Sequence, residues 1–197
     1  EIWRTADFIV EGEYRTGAQE QLYIENNGVI AEYSATDGVT VRGSMQCPYY
    51  LVEALEHVFH LPKEKCRVIQ TETGGAFGGK EDFPSVIGSH AALLAMKSGH
   101  PVKLCYDRGE DMAATTKRHP AIFRIRSVVS PTGELREWNA DVIFDGGAYN
   151  TLTPVVLSRG VLHVTAPYRC VNVHIHGVAV ATHTPPSNHH SNNSQSQ

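Results

Sequence analysis

The sequence lacks the features that would assign it to a membrane or to a nucleic acid. Across 197 residues, no apolar run approaches the roughly 20 residues that a membrane-spanning helix needs. The start shows no charged-then-apolar signal peptide. A formal net charge of −4 gives no reason to expect a nucleic-acid surface. We therefore expect a cytoplasmic globular protein that binds neither nucleic acid nor a membrane.

Cysteine is scarce and dispersed, which argues against metal clusters held by this chain. No two of the four cysteines form a C-x2-C pair; they are Cys47, Cys66, Cys105 and Cys170. Iron–sulfur clusters and structural zinc sites need clustered thiolates, so we expect reduced thiols instead. His174 and His176 share one face of a predicted strand, but no third ligand is placed to make them a zinc site.

The chain has an ordinary globular composition, with 41% hydrophobic and 19% charged residues. It begins at Glu1 without Met, as expected for a fragment or an excised domain. Hydrophobic periodicity predicts three helices, which start at Pro48, at residue 83 and near residue 155. Alternation predicts strands at residues 8–15, 21–25, 29–33, 39–42, 67–70, 102–106, 121–129, 134–144 and 170–181.

These elements predict an α+β fold with two sheet-and-helix subdomains and mixed or antiparallel sheets. The first subdomain is expected to span residues 1–106 and to contain Gln46 and a glycine-rich segment. The second is expected at residues 107–186 and contains a cationic segment at residues 115–119; a solvated loop is one of two interpretations of that segment that stay open, the other being a functional role. Residues 187–197 are polar and of low complexity, and such composition predicts a tail.

The glycine-rich segment lies at residues 71–82 and reads TETGGAFGGKED. It stands between a predicted strand and a predicted helix, where glycines let backbone N–H groups approach a bulky anionic group. The spacing from Gly74 to Lys80 also fits most of the phosphate-binding loop pattern. Glu81 occupies the place where that pattern needs Ser or Thr, and its charge would repel phosphates, which argues against a nucleotide hydrolase.

Residues 74–81, GGAFGGKE, resemble the GGGFGGKE segment of the molybdenum hydroxylases, the xanthine dehydrogenase and aldehyde oxidase family. Further similarities follow in order from about residue 5 to residue 188; they are GEYRTGAQ at 12–19, YIE at 23–25, SMQCP at 44–48, DRGEDM at 107–112, TTKRHP at 115–120, GGAY at 146–149 and SR at 158–159. The sequence is therefore identified as a member of this family. It resembles the N-terminal part of the molybdopterin-binding domain of xanthine dehydrogenase-like members.

The resemblance implies a molybdenum–pterin cofactor, either molybdopterin or its cytosine dinucleotide form, whose metal needs no protein ligand. Gln46 would donate an amide hydrogen bond to an oxo ligand of that metal. Gly75, Gly78 and Gly79 would bring backbone N–H groups to the cofactor, and Phe77 would pack beside the metal and the substrate channel. The alternative for Gln46 is that it only caps the end of a strand.

The resemblance also bears on the substrate, through Glu81 and Arg159. Xanthine-oxidising members have these residue types at the matching places, whereas aldehyde-oxidising members usually have apolar residues there. Together with Phe77, the two charged groups would bind the edges of a flat heterocycle such as a purine. Alternatively, Glu81 pairs with Lys80 or Arg108, and Arg159 bonds a carboxylate on the surface.

Two features of the family have no counterpart in this chain. The general-base glutamate lies further along in the family, and the family's arginine-containing segment is replaced after Asn188 by HHSNNSQSQ. We therefore expect no catalytic residue and no turnover in this chain alone. The implied partners are the remainder of the molybdenum subunit, iron–sulfur and FAD domains or subunits, a small heterocyclic substrate and an oligomeric full enzyme. The alternatives are a fragment of an aldehyde oxidase-like enzyme and a cofactor-free remnant that acts only as a folded or assembly module.

Overall fold

A computed structural model describes residues 2–6 and 8–188 and confirms the predicted α+β class with mixed sheets. The chain divides into two compact units. We call residues 20–117 the central unit and residues 2–19 with 118–188 the flanking unit. The expected polar tail lies outside the described residues from residue 189 onward, while its first two residues form a short strand, β10 Ser187–Asn188.

The central unit contains a four-stranded sheet with two long helices packed on it. Its elements are β2 Gly28–Ser34, β3 Gly38–Gly43, α1 Pro48–Phe59, a 3-10 turn Lys63–Lys65, β4 Cys66–Gln70, α2 Pro84–Ser98, β5 Val102–Cys105 and α3 Arg108–Ala114. The strand order is β4-β3-β2-β5; β3 and β4 are parallel, and the other pairs are antiparallel.

Helices α1 and α2 form because each begins at a proline and presents apolar residues to the sheet. Leu51 and Leu55 of α1 and Ile87 of α2 are fully buried in the core. A Cβ built on Gly88 would lie 2.7 Å from Leu51 Cδ1, so glycine allows the two helices their close approach. Helix α2 ends at Ser98 and is capped by Gly99, which has φ +69.

The parallel pair of strands determines where the glycine-rich segment lies. Gly43 at the end of β3 is in register with Gln70 at the end of β4. The residues that follow both strands therefore emerge at the same sheet edge. This brings Gln46 next to residues 71–82, although the two segments are well separated in sequence.

The flanking unit contains a second four-stranded sheet, in the order β1-β7-β8-β9. Its elements are a 3-10 turn Ile2–Arg4, β1 Phe8–Thr16, β7 Ala121–Val129, β8 Leu135–Gly147, α4 Thr153–Leu162 and β9 Asn172–Ala181. A short strand, β6 Lys117–Arg118, precedes β7 and pairs with β10. Strands β1, β7 and β8 are antiparallel neighbours. Helix α4 then carries the chain back so that β9 runs parallel to β8.

The two faces of this sheet differ in polarity. Val142 and Phe144 lie in a core that includes Val156 and Leu157 of α4. The other face carries a row of charges in cross-strand register. In this row Arg124 Nε donates to Glu13 Oε2 at 2.9 Å, and His176 Nδ1 lies 3.4 Å from Asp141 Oδ1. These pairs explain why charged residues alternate with apolar ones along β7, since the charged residues lie on the face opposite the core.

The structure corrects several sequence-based expectations. Residues 21–25 form no strand; Tyr23 is buried and Leu22 has φ +54, so the alternation there reflects a folded loop. The short helix α3 was not predicted because it lacks an apolar period; it begins with a capping box between Asp107 and Glu110. Of the two interpretations of residues 115–119, the solvated loop is wrong, because Thr115, Thr116 and His119 are buried.

The compact units also differ from the expected division at residue 106. The central unit continues to Lys117, because Asp111 of α3 bonds to Tyr23 and Asn27. The first strand belongs with the flanking unit, because β1 pairs along its whole length with β7. Such a pairing of distant segments is not encoded in local periodicity.

Candidate functional site

Gln46 is held by the glycine-rich segment through three hydrogen bonds. Its backbone N–H donates to Lys80 O at 2.8 Å. Its side-chain Oε1 accepts from Gly78 N at 3.0 Å and from Lys80 N at 3.3 Å. Because backbone N–H groups can only donate, the amide is oriented with its oxygen toward the loop. The Nε2 donor of this exposed side chain has no partner in the described part of the chain.

The loop reaches this shape through left-handed backbone conformations. Gly75 has φ +97 and Gly78 has φ +92, values that favour glycine. Phe77 adopts φ +50 without that advantage, and the residue is 56% exposed. The N–H of Gly79 closes a turn onto Ala76 O at 2.8 Å. A non-glycine residue in this conformation is costly and is often found at functional sites.

The N–H groups of the loop divide into two sets. Those of Gly78 and Gly79 are used within the protein, by Gln46 Oε1 and by Ala76 O. Those of Gly75 and Phe77 have no acceptor among residues 2–6 and 8–188. The first set therefore holds the loop together, and the second makes no hydrogen bond within the described residues.

Lys80 lies fully buried beneath the loop at 0% exposure. Its Nζ donates to Glu25 Oε2 at 2.8 Å and to Ser44 Oγ at 3.1 Å, and it lies 5.0 Å from the centre of the Tyr23 ring. Burial raises the pKa of the Glu25 carboxyl, but hydrogen bonds from Lys80, Ser44 and the Gly74 N–H outweigh it and hold that pKa at about 2. Glu25 is therefore ionised as the counter-charge of Lys80.

A second network, of buried hydrogen bonds to Asp111, lies beneath the loop. Tyr23 Oη donates to Asp111 Oδ1 at 2.8 Å, and Asn27 N donates to Asp111 Oδ2 at 2.9 Å. Burial and the Asp111 carboxylate raise the pKa of the Tyr23 hydroxyl, so it stays protonated as a donor. Arg108 Nη2 donates to the carbonyls of Tyr23 and Ile24 at 2.9 and 2.6 Å. A Cβ on Gly79 would overlap Tyr23 Cε1, so the ring packs directly under the loop.

Glu81 and Asp82 follow the loop and are half-buried. Burial raises the pKa of Asp82 to about 6; the backbone N–H groups of Asp82 and Phe83 lower it in part, and the charge of Glu81 raises it. The neighbouring Cys47 is half-buried, and burial together with Glu81 and Asp82 raises its thiol pKa. A raised pKa keeps this cysteine a neutral, weakly nucleophilic thiol.

Arg159 lies in the flanking unit, on the exposed side of α4. Glu81 lies in the central unit, so the two charged residues expected to bind substrate belong to different compact units. Of the two residues that were alternative partners of Glu81, Lys80 pairs with Glu25, and Arg108 donates to the carbonyls of Tyr23 and Ile24.

Sequence reasoning missed the residues beneath the loop: Tyr23, Glu25, Asn27, Ser44 and Asp111. One signal indicates that Lys80 has an acidic partner such as Glu25, without naming it. A lysine between two glycines and a glutamate, at the start of a buried helix, must find a counter-charge if it is buried. The sequence does not reveal which of the 21 acidic residues provides it.

A glutamine is thus oriented by a glycine-rich loop at the ends of two parallel strands, in an α+β unit. The chain belongs to the molybdopterin cofactor-binding domain family, whose family model matches residues 1–190. This confirms the resemblance that the motifs indicated.

Two relatives show which proteins the chain is similar to. It is 35% identical over 182 residues to a probable xanthine dehydrogenase subunit of Bacillus subtilis, covering 92% of this chain and 24% of the relative. It is 32% identical over 185 residues to the nicotinate dehydrogenase large molybdopterin subunit of Eubacterium barkeri, covering 94% of this chain and 43% of the relative. The chain thus spans less than half the length of either.

Solved structures share the fold at low sequence identity. The aldehyde oxidoreductase of Desulfovibrio gigas superposes with a TM-score of 0.85 at 23% identity, covering 95% of this chain and 20% of that one. Quinoline 2-oxidoreductase of Pseudomonas putida 86 gives a TM-score of 0.84 at 23% identity, covering 96% and 24%. Within the described residues, no helix is both long and apolar enough to cross a membrane.

The residues of the loop fit a pterin-bound metal group. Such a group presents oxygen acceptors, and the Nε2 donor of Gln46 and the N–H groups of Gly75 and Phe77 are matching donors. No group of three metal-ligating side chains occurs in the described part of the chain.

Proposed function

We propose that this chain forms part of the molybdenum–pterin site of a hydroxylase like the xanthine dehydrogenases and aldehyde oxidases. The observation that carries the proposal is the orientation of Gln46, whose oxygen is taken by Gly78 N and Lys80 N while its N–H donor is left for a bound group. The cofactor would supply a metal centre that hydroxylates a carbon with oxygen derived from water.

In this proposal the residues of the loop act by positioning. Gln46 donates its amide N–H to the cofactor without adding a charge. Gly75 and Phe77 offer backbone N–H groups, and the Phe77 ring packs beside cofactor and substrate. Gly78 and Gly79 contribute mainly because they have no side chain, which lets the loop adopt its shape. Their N–H groups are used to hold the loop itself.

For the substrate we propose a flat heterocycle such as a purine, bound by Phe77, Glu81 and Arg159. Two relatives are named for the heterocycles xanthine and nicotinate, which supports this class. Other relatives are named aldehyde oxidases, and an aldehyde is the alternative. Glu81→Leu and Arg159→Leu should lower kcat/KM for a purine in the complete enzyme and spare that for an aldehyde. An equal loss for both, or no loss for the purine, would refute this substrate-binding role, and oxidation of the aldehyde but not the purine by the wild type would favour the aldehyde alternative.

The complete enzyme is proposed to need more than this chain. The general base, the remainder of the molybdenum subunit and the iron–sulfur and FAD groups would lie on other domains or subunits of a cytoplasmic oligomer. The names of the relatives support this, since both designate subunits. We propose no turnover for the 197-residue chain alone, and oxidation of xanthine by that chain with an artificial acceptor would refute this.

The test is the molybdenum and pterin content of the chain, purified alone and co-expressed with the remainder of its subunit. We expect about one metal per complex in the co-expressed form. The combination of Gln46→Ala and Gly78→Val should abolish it. Extraction of the pterin decides between molybdopterin and its cytosine dinucleotide. Absence of metal from both samples would reject the proposal and leave the chain as a folded or assembly module.

A further inference from the structure

We propose that Glu25 is a positioning residue that fixes the shape of the glycine-rich loop and, through Lys80, the orientation of the Gln46 amide. This inference rests on the proposed function for its consequence on cofactor binding. The structural basis of the inference does not depend on the proposed function, because the contacts lie entirely within the central unit.

One carboxylate oxygen of Glu25 ties both ends of the loop. Glu25 Oε2 accepts from Gly74 N at 2.8 Å and from Lys80 Nζ at 2.8 Å. The backbone adds a third tie, since Glu25 N donates to Gly74 O at 3.2 Å. Residues 74 and 80 bound the segment that carries the left-handed Gly75, Phe77 and Gly78, so fixing both ends restricts the strained residues between them.

Lys80 transmits this restraint to Gln46. Its side chain is anchored by Glu25 and Ser44, and its backbone N–H and C=O both bond to Gln46. The ammonium has no exposure, so it cannot exchange Glu25 for water without moving the backbone. Loss of the Glu25 charge would therefore move the Lys80 backbone, which is the group that orients the amide of Gln46.

A purely structural role for Glu25 predicts a different result from a positioning role. Its side chain is 43% exposed, and the hydrophobic core around Leu51 and Ile87 does not include it. Removing its charge should thus loosen the loop locally while the sheet stays protected. A general contribution to stability would instead raise opening rates throughout the unit.

The experiment is amide hydrogen exchange by NMR on the full chain, comparing wild type with Glu25→Gln and Glu25→Asp. In Glu25→Gln we expect exchange of the Gly78 and Lys80 N–H groups to rise by at least about tenfold, with the N–H groups of Ala31 and Val41 unchanged. Glu25→Asp keeps the charge but is shorter, so it should restore part of the protection. Glu32→Gln, which removes an exposed carboxylate paired with Arg42, is the matched control and should behave as wild type.

The cofactor content of the complete enzyme gives the second measurement. We expect Glu25→Gln to lower molybdenum content by at least about fivefold and Glu32→Gln to leave it unchanged. Unchanged exchange at Gly78 and Lys80, or a parallel rise at Ala31 and Val41, would overturn the positioning role. A loosened loop with full molybdenum content would overturn its link to the cofactor. A wild-type enzyme without molybdenum would refute the proposed function alone and leave the exchange result standing.

Discussion

Gln46 and Lys80 are bonded to each other twice, although they lie 34 positions apart in sequence. Gln46 N donates to Lys80 O at 2.8 Å, and Lys80 N donates to Gln46 Oε1 at 3.3 Å. The backbone of Lys80 therefore determines which way the Gln46 amide faces. Several measurable consequences arise from this pair and from the groups around it.

Gln46→Glu should separate the two roles of this side chain. A carboxylate still accepts from Gly78 N and Lys80 N, but it has no N–H to donate. We expect the loop to remain protected in hydrogen exchange while the complete enzyme loses most of its molybdenum. Gln46→Ala, which removes both roles, should lose loop protection as well. Full molybdenum content in Gln46→Glu would show that the donor is not used.

Gly79→Ala should destabilise the central unit, because the added Cβ would overlap the Tyr23 ring. Overpacking of this kind costs about 1–3 kcal/mol in the free energy of unfolding. Gly17→Ala is the control, since a Cβ there meets nothing within 4 Å. Urea denaturation of both variants measures the difference. Equal stabilities would show that Tyr23 moves aside freely.

Lys80→Met should reduce the dependence of stability on acid pH. The folded pKa of Glu25, about 2, lies below its ordinary value of 4.5. The stabilisation by the ionised carboxylate is therefore complete above about pH 4.5 and is lost as pH falls toward about 2. Because Glu25 is partly exposed, solvent screens its charge, and we expect this stabilisation to be only about 1 kcal/mol. Denaturation at about pH 5 and about pH 3 should show a smaller loss in the variant than in wild type.

Asp82→Asn should remove a pH dependence of stability whose sign is opposite to that of Glu25. The folded pKa of Asp82, about 6, lies above its ordinary value of 3.8. The folded state binds this proton more tightly, so the free energy of unfolding falls as pH rises from about 4 to about 6. We expect Asp82→Asn to remove that slope and to raise stability at neutral pH by about 2–3 kcal/mol. A slope that persists in the variant would assign it to another group.

Asp111→Ala and Asp107→Ala should differ strongly, although both lie at α3. Asp111 is buried and accepts from Tyr23 and Asn27, so its loss leaves several buried donors unpaired and should cost about 3–5 kcal/mol. Asp107 caps the helix by accepting from Glu110 N, and its loss should cost about 1 kcal/mol. Thermal denaturation of the two variants tests this contrast, and equal losses would contradict it.

The sequence by itself determined the local elements and the family. Prolines, apolar periods and turn residues predicted α1, α2 and most of the strands, because these signals act over a few residues. The glycine-rich segment and its neighbours in register identified the family that the comparisons show. The residues proposed for the cofactor, Gln46 and the loop, were also found this way.

Tertiary structure alone decided what holds these residues in place. The pairing of β1 with β7, the partner of Lys80 and the contacts of Asp111 with Tyr23 join residues that lie 55 or more positions apart in sequence. Glu25 lies in a segment whose alternation predicted a strand, yet it folds as a loop. A buried charge pairs with an opposite charge that lies close to it in the folded chain. Local sequence determines neither that distance nor the burial of the pair.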